Sequence, residues 1–248
     1  MRVLLLGGTT EATALAHAFA AAGIDAIFSY AGRTENPVAQ PLPTRLGGYG
    51  GINGLADYVI DAKITHVVDA THPFATQISR NAVEACAMTQ TPLIAHERSE
   101  WLAQPGDNWQ HVPDTQTAVA ALPANPARIF LAIGKQTLPA FAAQPQHFYL
   151  LRLVDAPDAA LPVPNAEVIL DRGPFTVESD IALMRAHAIT HIVAKNSGGI
   201  GALAKLEAAR CLHLPVILIA RPAIPDRPIV RSIPAVMEWL GHSARLGV

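Results

Sequence analysis

The residues Arg2 to Leu6 (RVLLL) form a short apolar run that stops at Gly7-Gly8. Thr9-Thr10-Glu11 then opens a segment whose apolar residues Ala12, Leu15, Ala16, Phe19 and Ala20 recur at helical spacing, with Gly23 as its stop. An apolar run this short, with no polar alternation, is the pattern of a strand buried on both faces, as in a parallel sheet. Strand, glycine turn and helix in that order are half of a dinucleotide-binding unit. Gly7 and Gly8 let the backbone come close to a phosphate, and the N–H groups and positive end of the helix face the anion. Thr9 and Thr10 can cap that helix and donate hydroxyls to the same oxygens. The spaced fingerprint Gly-x-Gly-x-x-Gly is absent, because Thr9 stands where the second spaced glycine belongs. The turn alone therefore fits a plain strand-to-helix connection as well as a nucleotide site.

At 248 residues the chain can form one large α/β domain or two small ones. Hydrophobic residues make up 50% and charged residues 15%, enough for a sizeable core and against disorder. A formal net charge of −2 with no basic block argues against nucleic-acid binding. Cys86 and Cys211 lack CxxC or His spacing and fall among apolar neighbours in helical stretches, so both are expected to be core thiols of a reducing compartment, with no metal site. The Leu4–Leu6 run is too short for a signal peptide, and no apolar run approaches the ~20 residues of a spanning helix. A soluble, cytoplasmic protein without membrane contact is expected.

The second strand, Ile24 to Tyr30, bears on cofactor choice. An NAD-type site places an Asp or Glu about 20 residues past the glycines to hold ribose hydroxyls. Here the strand ends in Ser29 and Tyr30, with Arg33 just beyond, and Asp25 lies at the wrong end. A serine hydroxyl and a guanidinium would hold a ribose phosphate that a carboxylate would repel, which favours NADPH over NADH. Residues 36–51 are rich in Pro and Gly and are expected as loop or short strand; a helix over 52–62 and a strand over 65–69 follow. That strand ends in DATHPFA. Asp69, Thr71 and His72 thus lie at the carboxyl edge where parallel sheets place ligands, and Pro73 is expected to begin the next helix, over 76–88. A strand near 93–96 completes the first alternation.

The polar, irregular stretch 97–113 is the expected domain boundary, giving a nucleotide-binding domain over 1–98 and a substrate-binding domain over 99–248. Which domain takes the last strand, near 229–231, is left open. Beyond the boundary Asp114 caps a short helix, and strands are expected over 128–133, 147–154, 167–170, 190–194 and 215–219. The second glycine-turned unit, Lys195 to Gly199 (KNSGG), is neither a Walker loop nor a nucleophile elbow. Two such units imply an α/β protein of two doubly wound, Rossmann-like domains with mainly parallel sheets and the active site in the cleft between them. Of four lysines, Lys135 and Lys195 directly follow expected strands at the ligand edge. With Arg152 and Arg172 they suggest an anionic substrate met from the second domain.

Several segments together resemble the precorrin-6A reductases of cobalamin biosynthesis: LLLGGTTEA, GGINGLADYV, DATHPFA, the Arg98…Trp101 pair, GKQTLPAF, RGPFTVESDIALM and VAKNSGGIGALAKLEAA, in that order over nearly the whole chain. The resemblance implies hydride transfer from NADPH to the precorrin-6A macrocycle, giving precorrin-6B. A sister enzyme of the anaerobic branch acts on the cobalt-containing macrocycle and supplies the alternative, with NADH. The macrocycle's acetates and propionates would meet Lys135, Arg152, Arg172 and Lys195, with Asn196 and Ser197 of the same loop. Gly7, Gly8, Thr9, Thr10, Glu11, Ser29, Arg33, Thr71 and His72 would hold the cofactor. Glu11, a carboxylate beside a pyrophosphate, is expected to turn toward a ribose or a backbone N–H. Asp69 and His72 are the nearest proton donors, and solvent or the substrate itself serves equally well. Transient contact with neighbouring pathway enzymes is a further expectation. No Tyr is followed four residues on by Lys, against a short-chain dehydrogenase, and the missing acid after the second strand disfavours a methyltransferase. A module that binds NADP(H) without turnover is the remaining reading from another class.

Overall fold

The computed structural model describes residues 1–32, 37–157, 159–171, 173 and 175–246. Arg33 and Arg172 lie outside them. The chain folds as two units, Met1–Ser99 with Ala223–Val248, and Glu100–Pro222. The first comprises β1 (Val3–Leu6), α1 (Thr10–Ala21), β2 (Ala26–Tyr30), β3 (Thr44–Leu46), α2 (Ile52–Asp61), β4 (His66–Asp69), α3 (Thr76–Thr89) and β5 (Leu93–His96). The second holds β6 (Trp109–Val112), α4 (Thr115–Ala120), β7 (Arg128–Ala132), a 3₁₀ segment (Lys135–Ala143), β8 (Phe148–Leu153), β9 (Ala166–Leu170), α5 (Val177–Ala186), β10 (His191–Lys195), α6 (Ala204–Cys211) and β11 (Val216–Ile219). β12 (Ile229–Val230) and α7 (Ile233–Leu246) return to the first.

The first sheet has the order β12-β5-β4-β1-β2-β3, every pairing parallel. Its central strand shows why RVLLL has no polar alternation. Val3 and Leu5 pack with Leu15 and Phe19 of α1 and Val236 and Leu240 of α7 on one face. Leu4 and Leu6 pack with Leu55 and Val59 of α2 and Ala82 and Cys86 of α3 on the other. The helical spacing of α1 is equally direct: Ala12, Leu15, Ala16 and Phe19 are its buried residues. Ala20 is exposed instead. Gly7 is required by packing, because a Cβ there would lie 2.2 Å from the Phe28 ring.

The second sheet is also wholly parallel, β6-β11-β10-β7-β8-β9. Phe130, Leu150, Ile192 and Leu218 bury against Met184 of α5 and Leu206 of α6. The expected α/β class with two doubly wound domains is the observed one, each sheet built of six strands.

Several expectations are corrected in detail. The stretch 97–113 contains a strand, β6, at the sheet edge. The segment after Gly134 is a nine-residue 3₁₀ helix interrupted by Pro139, which removes an N–H that an α-helix would need. Pro73 does not start α3. Residues His72 to Ala75 form a turn closed by Ala75 N–H to His72 O (2.7 Å), and the helix begins at Thr76. Cys86 is buried, its thiol pushed up to about 12 by desolvation and by the charge of Asp69. Cys211, at the end of α6, is exposed. The tail, left open by the sequence, belongs with the first unit: β12 pairs with β5, and α7 covers the α1 face. No helix among the described residues is long and apolar enough to cross a membrane.

Burial also sets an acid limit on stability. Desolvation lowers the pKa values of His66, His96, His147 and His191, aided at His66 by the N-terminal ammonium and at His147 by His191. At His96 the charge of Glu11 opposes the shift without cancelling it. The folded protein thus holds these rings neutral. Their contribution is complete above the ordinary value of about 6.5 and is lost as pH falls from there through the lowered folded values. The urea midpoint is expected to drop between about pH 7.5 and about pH 5, before most carboxylates titrate. A flat midpoint across that window would refute it.

Candidate functional site

In the first sheet the strand order reverses between β1 and β4, because the chain lays down β2 and β3 on one side and then crosses back. Open α/β sheets bind ligands in the crevice at the carboxyl ends of the strands flanking such a reversal. Leu6, Ser29 and Asp69 are in register there, so the loops after β1 and β4 leave the sheet at one level. Thr9 ties them together. Its hydroxyl donates to Ala70 O (2.8 Å) and accepts from Ala12 N–H (3.1 Å) as the N-cap of α1. Gly8 takes φ +115°, a conformation that favours glycine, and a Cβ there would meet nothing within 4 Å. Open space therefore lies against backbone at the positive end of a helix. A small open cleft adjoins it, lined by Thr9, Glu11, Thr71, His96, Glu97 and Arg98 among others.

Charge in this cleft is paired. Glu11 faces Arg98, whose Nη1 lies 3.1 and 3.3 Å from its two carboxylate oxygens. Burial would raise the Glu11 pKa, but Arg98's charge, with hydrogen bonds from its own N–H and from Thr10, brings it below the ordinary value. Asp69 Oδ1 accepts from the Thr71 N–H (3.1 Å) and hydroxyl (2.7 Å). Its Oδ2 lies 4.0 Å from Arg227 Nε, and neither atom has a hydrogen-bond partner among the described residues. Arg227 also donates to Glu97. Asp69 therefore acts as an acceptor that orients Thr71. His72 is engaged in its own turn, Nδ1 accepting from Phe74 N–H (3.2 Å). Ser29 is buried, its hydroxyl accepting from Tyr49 OH (2.7 Å). Arg45, opposite Ser29 on β3, lies over the Tyr49 ring at 3.7 Å and brings a cation to this edge.

In the second sheet the reversal falls between β7 and β10, which puts Gly134-Lys135 and KNSGG on adjacent strands. Lys195 ends β10, and the Lys135 ammonium donates to Ala156 O (2.8 Å). Asn196 is buried and commits both side-chain groups to Trp101, accepting from its N–H (2.9 Å) and donating to its carbonyl (3.1 Å). Arg221 holds the carbonyls of Asn196 and Ser197 at 3.0 and 3.1 Å. Arg152 does not stand free for substrate: it makes a two-point ion pair with Asp180, both nearly inaccessible to solvent (9% and 1%).

A family model described as "Precorrin-6x reductase CbiJ/CobK" matches residues 2–241. The chain belongs to the precorrin-6x reductase family. A precorrin-6A reductase of Rhodobacter capsulatus is 62% identical over 98% of this chain and 97% of its own. A solved structure described as "CobK precorrin-6A reductase" superposes with a TM-score of 0.95 at 61% identity, covering 98% of this chain and 96% of that one. A cobalt-precorrin-6A reductase of Priestia megaterium is 31% identical over 98% of this chain and 99% of its own.

As a member of the precorrin-6x reductase family the chain is an oxidoreductase acting on a CH–CH bond of a tetrapyrrole, and its reductant is a nicotinamide cofactor. The first unit's switch point fits such a dinucleotide on its own geometry, through the open space at Gly8 and the capped start of α1. Of the residues picked from sequence, Gly7, Gly8, Thr9, Thr10, Glu11, Asp69 and Thr71 come together there. Arg98, His96, Glu97 and Arg227 were missed as members of that edge. Only Arg98 left a trace in the sequence, in the Arg98…Trp101 pair.

Proposed function

We propose that the chain transfers a hydride from NADPH to precorrin-6A, giving precorrin-6B. The observation that carries this reading is the coincidence of a sheet reversal, a left-handed Gly8 facing open space and a threonine-capped helix at one point of the first unit. A reduced nicotinamide bound in this unit supplies the hydride. The chain's own part is to receive the pyrophosphate on the Gly7–Thr10 turn and to keep Glu11 neutralised by Arg98 so that it does not repel the phosphates. Asp69 fixes the Thr71 hydroxyl at the rim of the same cleft. In the second unit, Lys135 and Lys195 offer the cations that the substrate's carboxylates call for. Asn196 and Ser197 shape their loop, and Arg152 serves the fold instead.

The preference for NADPH rests on the second strand, whose end carries Ser29 where an NAD site needs a carboxylate, with Arg33 following and Arg45 alongside. Arg33→Ala is expected to raise the Kd of NADPH about tenfold or more and that of NADH by less than about twofold, as for loss of a charge-assisted contact to the ribose phosphate. Equal losses for both nucleotides, measured by titration, would sink that assignment. Cobalt-free precorrin-6A is preferred as substrate because similarity to the precorrin-6A reductase is twice that to the cobalt-precorrin-6A reductase, 62% against 31%. A cytoplasmic location belongs to the same reading, since both reactants are polyanions of the aqueous phase.

A further inference from the structure

Among the described residues, the two most exposed large apolar side chains are Leu102 (78%) and Ile200 (89%). Far apart in sequence, they are carried on segments bonded to each other. Trp101 Nε1 donates to Gly199 O (2.7 Å), and the Asn196 side chain grips the Trp101 backbone at both its N–H and its carbonyl. Leu102 and Ile200 thus each stand one residue beyond a bonded pair. The mount is stiff, since Arg221 holds two carbonyls of the KNSGG loop and the Lys205 ammonium sits 4.9 Å from the Trp101 ring centroid. Apolar groups held in water on a braced support forgo the burial that would stabilise them and stay available to an apolar ligand face.

Position and charge say which ligand. The loop bearing Ile200 begins at Lys195, on the strand that flanks the sheet reversal, with the Lys135 turn on the neighbouring strand. A precorrin has a conjugated, largely apolar ring face and a rim of carboxylates, so it asks for apolar contact with cations close by. A second copy of the chain asks for about 800 Å² from each partner, far more than two side chains supply. We infer that Leu102 and Ile200 form an apolar rest for the face of the precorrin ring and determine specificity for it. The inference rests on the substrate reading above.

The test uses the full chain and precorrin-6A kept without nucleotide, with quenching of tryptophan fluorescence as the binding signal. The double variant Leu102→Ser/Ile200→Ser is expected to raise the macrocycle Kd about tenfold while leaving the NADPH Kd unchanged. Both sites are exposed, so its melting temperature should match that of the parent. Leu102→Met/Ile200→Leu should bind as the parent does. A double serine variant that binds precorrin-6A within about twofold of the parent overturns the inference. So does one that changes only the sedimentation behaviour, which would make the pair a self-contact. If the parent neither binds precorrin-6A nor oxidises NADPH in its presence, the functional reading falls and this inference with it. If the parent does both, only the role of the pair is at stake.

Discussion

Gly8→Ala is expected to raise the Kd for the nicotinamide nucleotide about 100-fold while the protein remains folded. The added methyl meets no protein atom within 4 Å, so the substitution creates no internal clash. It occupies the space in front of α1 where a pyrophosphate must come against backbone, and φ +115° strains any residue with a Cβ. The strain costs the fold about 1–3 kcal/mol; the loss of binding comes from the methyl in the pyrophosphate's place, and a 100-fold change in Kd is about 2.7 kcal/mol. Gly7→Ala is the contrasting control. There the methyl would meet the Phe28 ring at 2.2 Å, so it costs stability by overpacking, about 1–3 kcal/mol, and leaves the space in front of α1 unfilled. Calorimetric titration with NADPH and thermal melts of both variants separate the two effects. Unimpaired binding by Gly8→Ala would remove the nucleotide from this turn.

The second large effect belongs to Arg152. As a substrate ligand its loss would raise KM and spare the fold. As observed, it neutralises Asp180, whose carboxylate is 1% exposed, and Arg152→Met leaves that charge buried and unpaired. Breaking a pair of this kind costs about 3–5 kcal/mol, and the second unit should lose that much by urea unfolding. Arg152→Met/Asp180→Leu should recover most of it, because removing both charges removes the desolvation cost as well. A stable Arg152→Met enzyme with a raised KM would return Arg152 to the substrate.

These two residues mark what could be read in advance. Gly7-Gly8 and the strands β1 and β11 were legible because a strand buried on both faces must be apolar throughout, and such a run ending in glycine, as β1 does, has few other uses. β6 was not, since its Gln110 and His111 are exposed at the sheet edge and carry no such run. The site divides in the same way. The glycines, Thr9 and Thr71 act through local geometry that their neighbours reveal. Arg152 looks like any cation until the fold brings Asp180 from 28 residues away, and Arg227 finds Glu97 across 130. No local pattern encodes such pairings. Cys211 failed for a related reason: helical spacing places a residue on a face, and the end of α6 leaves that face uncovered.

The return of β12 and α7 has a consequence for biosynthesis. The first unit is assembled from both ends of the chain, whereas Glu100–Pro222 is one continuous stretch. On a ribosome the inserted stretch can reach its native state first, while the unit begun earlier waits with one edge of β5 and one side of α1 uncovered until residues 223–246 emerge. Synthesis that stalls near Pro222 leaves a nascent first unit that exposes apolar surface, a natural client for chaperones.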